Sequence, residues 1–172
     1  MAYHLDRAGL VGTLNSRDGE ESPRIGKRRL EAVQRVDVRV RELAAVNPSR
    51  QGTGTTLTAL IARPSDSVVM IAHLGDGRAY AHEHGRCRRL TRDHTWAAQQ
   101  LAAGRLTPEQ ARQHRFPHFL THAAGVGSRS GPTLVECVVD TRQVYLLCTD
   151  GLTNMLADLE LECTLTDVLP DG

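Results

Sequence analysis

Val68-Val69-Met70-Ile71-Ala72-His73-Leu74-Gly75-Asp76-Gly77-Arg78-Ala79-Tyr80 is the stretch that decides the fold. From Val68 to Leu74 it is apolar on both alternating faces, so a strand there must be covered twice, by a facing sheet and by helices. Within this run His73 reads as a hydrogen-bonded core residue rather than a ligand. Gly75-Asp76-Gly77 breaks the strand sharply, and a shorter strand is expected at Arg78 to His82.

Working outward, residues 1–28 contain Gly9, Gly12, Gly19, Pro23 and Gly26 and read as an irregular segment. From Arg29 the pattern turns helical, because Leu30, Val33, Val36, Val40 and Leu43 recur three or four residues apart. Asn47-Pro48 ends that helix, since proline disfavours helix in the residue before it. Gly52-Thr53-Gly54 leads into a strand over Thr56 to Ala62, and Pro64-Ser65-Asp66 is a turn. Downstream, Cys87 to Leu90 is a strand, and a helix over Thr95 to Ala103 stops at Gly104. Thr107-Pro108-Glu109-Gln110 carries the signature of a capping box with proline in the first turn. Strands return at Leu134 to Val139 and Val144 to Cys148, with helices near Leu152 and over Leu159 to Leu169.

The chain has 172 residues, 40% of them apolar, which suffices for one domain with a sizeable core. With 21 basic and 20 acidic side chains, nothing in the overall charge points to nucleic acid or a membrane. Seven Lys/Arg between Arg24 and Arg41 read as the solvated face of an amphipathic helix. Cys87, Cys137, Cys148 and Cys163 form no Cys-x-x-Cys pair, which suggests reduced thiols. No apolar run is long enough to span a bilayer and no signal pattern opens the chain, so a cytoplasmic location is expected.

Asp76, Asp93 and Asp150 each sit on a loop at the end of an element. Loop carboxylates suit Mg²⁺ or Mn²⁺, which prefer oxygen ligands and keep several waters. Gly75, Gly77 and Gly151 flank these acids and allow sharp bends. Turn formation alone would also favour Asp and Gly at such places. His82 with His84, and His118 with His122, have spacings a zinc site could use, but no Cys or carboxylate cluster completes four ligands. No Gly-x-Ser-x-Gly elbow is present, and Cys148 lies in a buried-strand pattern.

The stretches GTGTTLTALI (52–61), VVMIAHLGDGRAYAHEHGRCRRLTRDHTWAAQQLAAGRLTPEQARQH (68–114), THAAGVG (121–127) and QVYLLCTDGLTNML (143–156) resemble the metal-dependent protein phosphatases of type 2C in their bacterial form. The resemblance implies an α+β fold, an α-β-β-α sandwich of two antiparallel sheets flanked by helices. It implies hydrolysis of phosphoserine and phosphothreonine in proteins by metal-activated water, with Mn²⁺ or Mg²⁺ as cofactor and a kinase as a candidate partner. Asp150 and Asp93 match metal-ligating aspartates of the family, Asp93 at a third, weaker site. Asp76, Gly75, Gly151 and Arg78 match supporting positions, and Gly77 replaces the usual serine. A helical flap is expected over about 93–120 within a domain at 29–172. The family's early Asp-Gly-x-Gly-Gly-His block, its upstream phosphate-holding arginine and its closing Asp-Asn block are not recognisable in this sequence. A truncated or degenerate domain with weak metal binding and little turnover is therefore expected. A non-catalytic regulatory binding module, or an inactive fragment, is the alternative.

Overall fold

The run at 68–74 is strand β2 (Val68–Leu74), at the centre of a sheet with β1 (Leu57–Ile61) and β5 (Thr133–Val138) antiparallel on either side. A second antiparallel sheet places β3 (Arg78–Glu83) between β4 (Arg86–Arg89) and β6 (Val144–Cys148). The computed structural model describes residues 23–62, 68–126, 131–138 and 142–169. The turn expected at 64–66, Val139 and residues 1–22 lie outside the described residues.

β2 is covered twice, as its two apolar faces require. Val69 and Ile71 pack with Ala79, Cys137, Tyr145 and Leu147, filling the space between the sheets. Ala72 and Leu74 pack on the opposite face against Val33 of helix α1 (Pro23–Ala45). Ile71 and Ala72 are fully buried, and burying a side chain the size of isoleucine stabilises by roughly 1.5–3 kcal/mol.

The helix corrects one expectation. Residues 23–28, read from the sequence as irregular, form its first turns. Proline is favoured at a helix start because its missing N–H would have no partner there. Gly26 costs about 1 kcal/mol relative to alanine, which packing of the rest of the helix offsets. The C-terminal end follows expectation, with Ala45 last and a 3₁₀ turn at Pro48–Arg50. Asp37 fastens α1 to the rest of the domain by accepting the Gly125 N–H at 2.8 Å.

The outer face of the second sheet is covered by helix α5 (Asp158–Val168). Asp158, Glu162 and Thr166 recur every four residues and therefore share one face of it. Tyr80 Oη donates to Asp158 Oδ1 at 2.8 Å, and the Cys87 N–H donates to Glu162 Oε2 at 2.7 Å. His82 Nε2 lies 3.2 Å from Thr166 Oγ1. The layers are thus helix, sheet, sheet, helix, as expected.

Between the sheets' strands the chain makes a helical hairpin of α2 (Trp96–Ala102) and α3 (Pro108–Arg112). Thr95 caps α2, and Thr107 with Gln110 completes the expected capping box on α3. Gly104 takes φ +68° in the link, a conformation open to glycine. The hairpin is closed at its base, where the Trp96 N–H donates to Phe119 O at 2.9 Å and the Thr121 N–H to His94 O at 2.8 Å. A short helix α4 (Asp150–Thr153) follows β6.

Candidate active site

A cleft of about 970 Å³ opens between this hairpin and the segment joining α4 to α5. Asp76, Arg78, Asp93 and Asp150 all line it, although they come from three separate parts of the chain. Alanines of the hairpin (Ala97, Ala98, Ala102, Ala111) form one wall, with Leu156, Ala157 and Leu159 opposite.

Backbone geometry aims the acids. Asp76 occupies the turn from β2 to β3, where the chain passes from one sheet to the other. Gly75 beside it has φ +107°, and a Cβ there would lie 2.4 Å from Thr56 Cγ2. His94 locks the turn from the other side, because its Nδ1 accepts the Gly75 N–H at 3.2 Å and its own N–H donates to Gly75 O at 2.7 Å. Asp150 opens α4 behind the N-cap residue Thr149. Gly151 is helical, and only Thr149 Oγ1 lies near the position of a Cβ, so no close approach demands glycine there.

The charges in the cleft fall into two groups. Asp93 is engaged at both oxygens: Arg78 Nη2 donates to Oδ2 at 2.8 Å and Arg78 Nε to Oδ1 at 3.1 Å, while Arg89 Nη2 also bonds Oδ1. Burial opposes the Arg78 charge, but hydrogen bonds to Asp93 and Tyr80 outweigh it and raise the pKa. Burial pushes the Tyr80 hydroxyl up to about 12, against the influence of Arg78 and with that of Asp158. Asp76 and Asp150, in contrast, face the cleft without a cationic partner among the described residues. Burial, and next the repulsion of Asp150, hold the Asp76 carboxyl above its ordinary pKa, with His118 acting in the opposite sense.

Beneath the acids runs a row of histidines. The His73 and His94 rings are 4.6 Å apart, and those of His94 and His122 are 4.9 Å apart. Burial, followed by the other two rings, lowers the His94 pKa to about 4, so near neutral pH it is an uncharged support. His73 is fully buried, with Nδ1 3.1 Å from Thr58 Oγ1 and Nε2 3.1 Å from Arg92 O. It is the hydrogen-bonded core residue that its apolar setting predicts.

The zinc pairings do not assemble. His82 bonds Thr166 and His122 bonds Thr121. Among the described residues no group of three His, Cys, Asp or Glu could hold a metal ion. Asp76 and Asp150 line the same cleft, and Mg²⁺-type ions take one or two carboxylates and fill the remaining positions with water.

Reasoning from the sequence missed Arg89, Arg92, Arg112 and Asp158, and considered His118 only as half of a zinc pair; all five line the cleft. Arg92 adjoins Asp93 in the motif and carried a usable signal. Asp158 carried none, because it meets Tyr80 only through the docking of α5.

Comparison with known proteins agrees with this architecture. The chain is 34% identical over 130 residues to the serine/threonine phosphatase Stp of Listeria welshimeri, covering 76% of this chain and 51% of that protein. It is 32% identical to the protein phosphatase PhpP of Streptococcus pneumoniae over 70% of this chain and 48% of the relative. It thus spans about half the length of the curated relatives it matches. Among solved structures, the serine/threonine phosphatase of S. agalactiae superposes with a TM-score of 0.78 at 27% identity, over 90% of this chain and 63% of that one. The catalytic domain of the phosphatase PstP, solved with two manganese ions, gives 0.72 at 27% identity, over 89% and 62%. The family model for protein phosphatase 2C matches residues 14–169. With its sandwich, its hairpin-lined cleft and its matched blocks, the chain belongs to the protein phosphatase 2C family.

Proposed function

We propose that this chain forms the cleft of a metal-dependent serine/threonine protein phosphatase, acting on phosphoserine and phosphothreonine in proteins. The observation that carries the reading is the pair Asp76 and Asp150, two carboxylates that line one cleft and form no ion pair among the described residues. Mn²⁺ or Mg²⁺ would be held there. When bound, such an ion supplies Lewis-acid polarisation of a phosphate ester and a lowered pKa for water.

The chain's own residues supply position. Gly75 and His94 fix the turn that carries Asp76. Gly151 follows Asp150 into α4. Arg78 clamps Asp93, so Asp93 would serve at the expected third, weaker metal site only by releasing a guanidinium. The small side chains of the hairpin leave room for a peptide, and half-burial of Asp76 strengthens its interaction with a cation. The relatives named as serine/threonine phosphatases support the substrate class, which makes a serine/threonine kinase the corresponding partner. Among the described residues no helix is long and apolar enough to cross a membrane.

Hydrolysis of p-nitrophenyl phosphate with excess Mn²⁺ tests the proposal. The chain is expected to show weak, Mn²⁺-dependent turnover that Asp150→Ala abolishes. Turnover that is absent, or equal in the variant, would overturn the reading.

A further inference from the structure

Arg78, Arg89, Arg92 and Arg112 line the cleft. Three are committed elsewhere: Arg78 and Arg89 hold Asp93, and Arg112 pairs with Glu109 at 2.6 Å. Arg92 is exposed, and its guanidinium has no hydrogen bond or ion pair among the described residues.

Its main chain is fixed, however. The Arg92 carbonyl meets His73 Nε2 at 3.1 Å, and His73 is fully buried. On one side Thr91 is buried and accepts the Ala79 N–H at 3.0 Å. On the other side Asp93 is clamped by two guanidiniums. A rigid base with an uncommitted head loses little freedom when a ligand arrives. A guanidinium presents paired N–H donors that match the oxygens of a phosphate.

Setting aside the internally paired charges leaves Asp76 and Asp150 as acids and Arg92 as a permanent cation, all on one cleft. A phosphate brought beside two carboxylates needs such a cation to offset the repulsion. We infer that Arg92 is the anion-receiving residue of this cleft and takes the phosphate group of the bound ester. The identity of the anion rests on the phosphatase reading.

Inorganic phosphate titrated into the metal-free protein, followed by backbone amide shifts in NMR, tests the inference separately from turnover. Arg92→Ala should weaken binding at least tenfold, and Arg92→Lys less, because lysine keeps the charge and loses the paired donors. Arg112→Ala and His118→Ala should change binding little. Each variant should keep the wild-type Tm, since all three side chains are exposed. Equal phosphate affinity in wild type and Arg92→Ala, no binding by wild type, or a larger loss in Arg112→Ala or His118→Ala would overturn the inference. Phosphate binding lost in Arg92→Ala, in a protein without Mn²⁺-dependent hydrolysis, would uphold Arg92 and reject the phosphatase reading.

Discussion

Replacing Asp93 with asparagine tests the central charge arrangement, because three charged side chains from β3, the end of β4 and the following loop meet there. Asp93 receives two hydrogen bonds from Arg78, at 2.8 and 3.1 Å, and a further one from Arg89. The side chains are 15%, 21% and 28% exposed respectively, so this is not a surface pair. Breaking a fully buried pair costs about 3–5 kcal/mol, and an exposed one contributes about 0–1. The site lies between these limits, and Arg78 retains its contacts with Tyr80 and Asp158. The expected loss is about 2–3 kcal/mol, or roughly 5–10 °C in Tm for a domain of this size. Urea unfolding followed by Trp96 fluorescence measures it, with an unchanged m-value showing that the folded and unfolded states are otherwise comparable. A double-mutant cycle with Arg78→Met should give a coupling above about 1 kcal/mol. A loss below about 0.5 kcal/mol, or zero coupling, would refute the clamp and return Asp93 to the set of uncommitted acids.

Gly75→Ala should destabilise by about 2–4 kcal/mol, because φ is +107° and the new Cβ would lie 2.4 Å from Thr56 Cγ2; thermal unfolding checks it. His94 gives a pH dependence: its pKa falls from 6.5 to about 4 on folding, so the unfolded state binds more protons between those values. Stability should therefore fall as pH drops from about 6.5 to about 4, by roughly 2–3 kcal/mol after allowance for partial exposure, and His94→Gln should flatten that limb. Asp76→Asn should raise metal-free stability near neutral pH by about 0.5 kcal/mol, by relieving repulsion from Asp150, while weakening Mn²⁺ binding in calorimetric titration. Glu162→Ala should cost about 1–2 kcal/mol, because the Cys87 N–H on edge strand β4 loses its acceptor; chemical denaturation and amide exchange at Cys87 check it.

Much of the fold was legible because its signals are local. The two-faced run 68–74 called for cover on both sides, and packing against β3, β6 and α1 provides it. The Thr107–Gln110 box and the stop at Gly104 were readable because capping involves neighbours three or four residues apart. The start of α1 was misread because glycine and proline were taken as breakers, although proline at a first turn favours a helix. Gly77 shows a different limit. Its Cβ would lie 2.8 Å from Thr58 Oγ1, and that hydroxyl bonds His73, so the glycine in place of a serine answers to a residue on another strand.

By itself, the sequence determined the family, the layer order around β2 and the identity of the acids on the turns, because these follow from periodicity and from short motifs. Which acids remain available was decided only by tertiary structure. Asp93 and Asp150 look alike in sequence, each an aspartate on a loop beside a threonine or an arginine. Folding brings Arg78, fifteen residues before Asp93, onto both of its oxygens, and leaves Asp150 facing Asp76. The same pairing leaves Arg92 uncommitted. Charges cancel through space at a few ångströms, and separation along the chain does not record that distance.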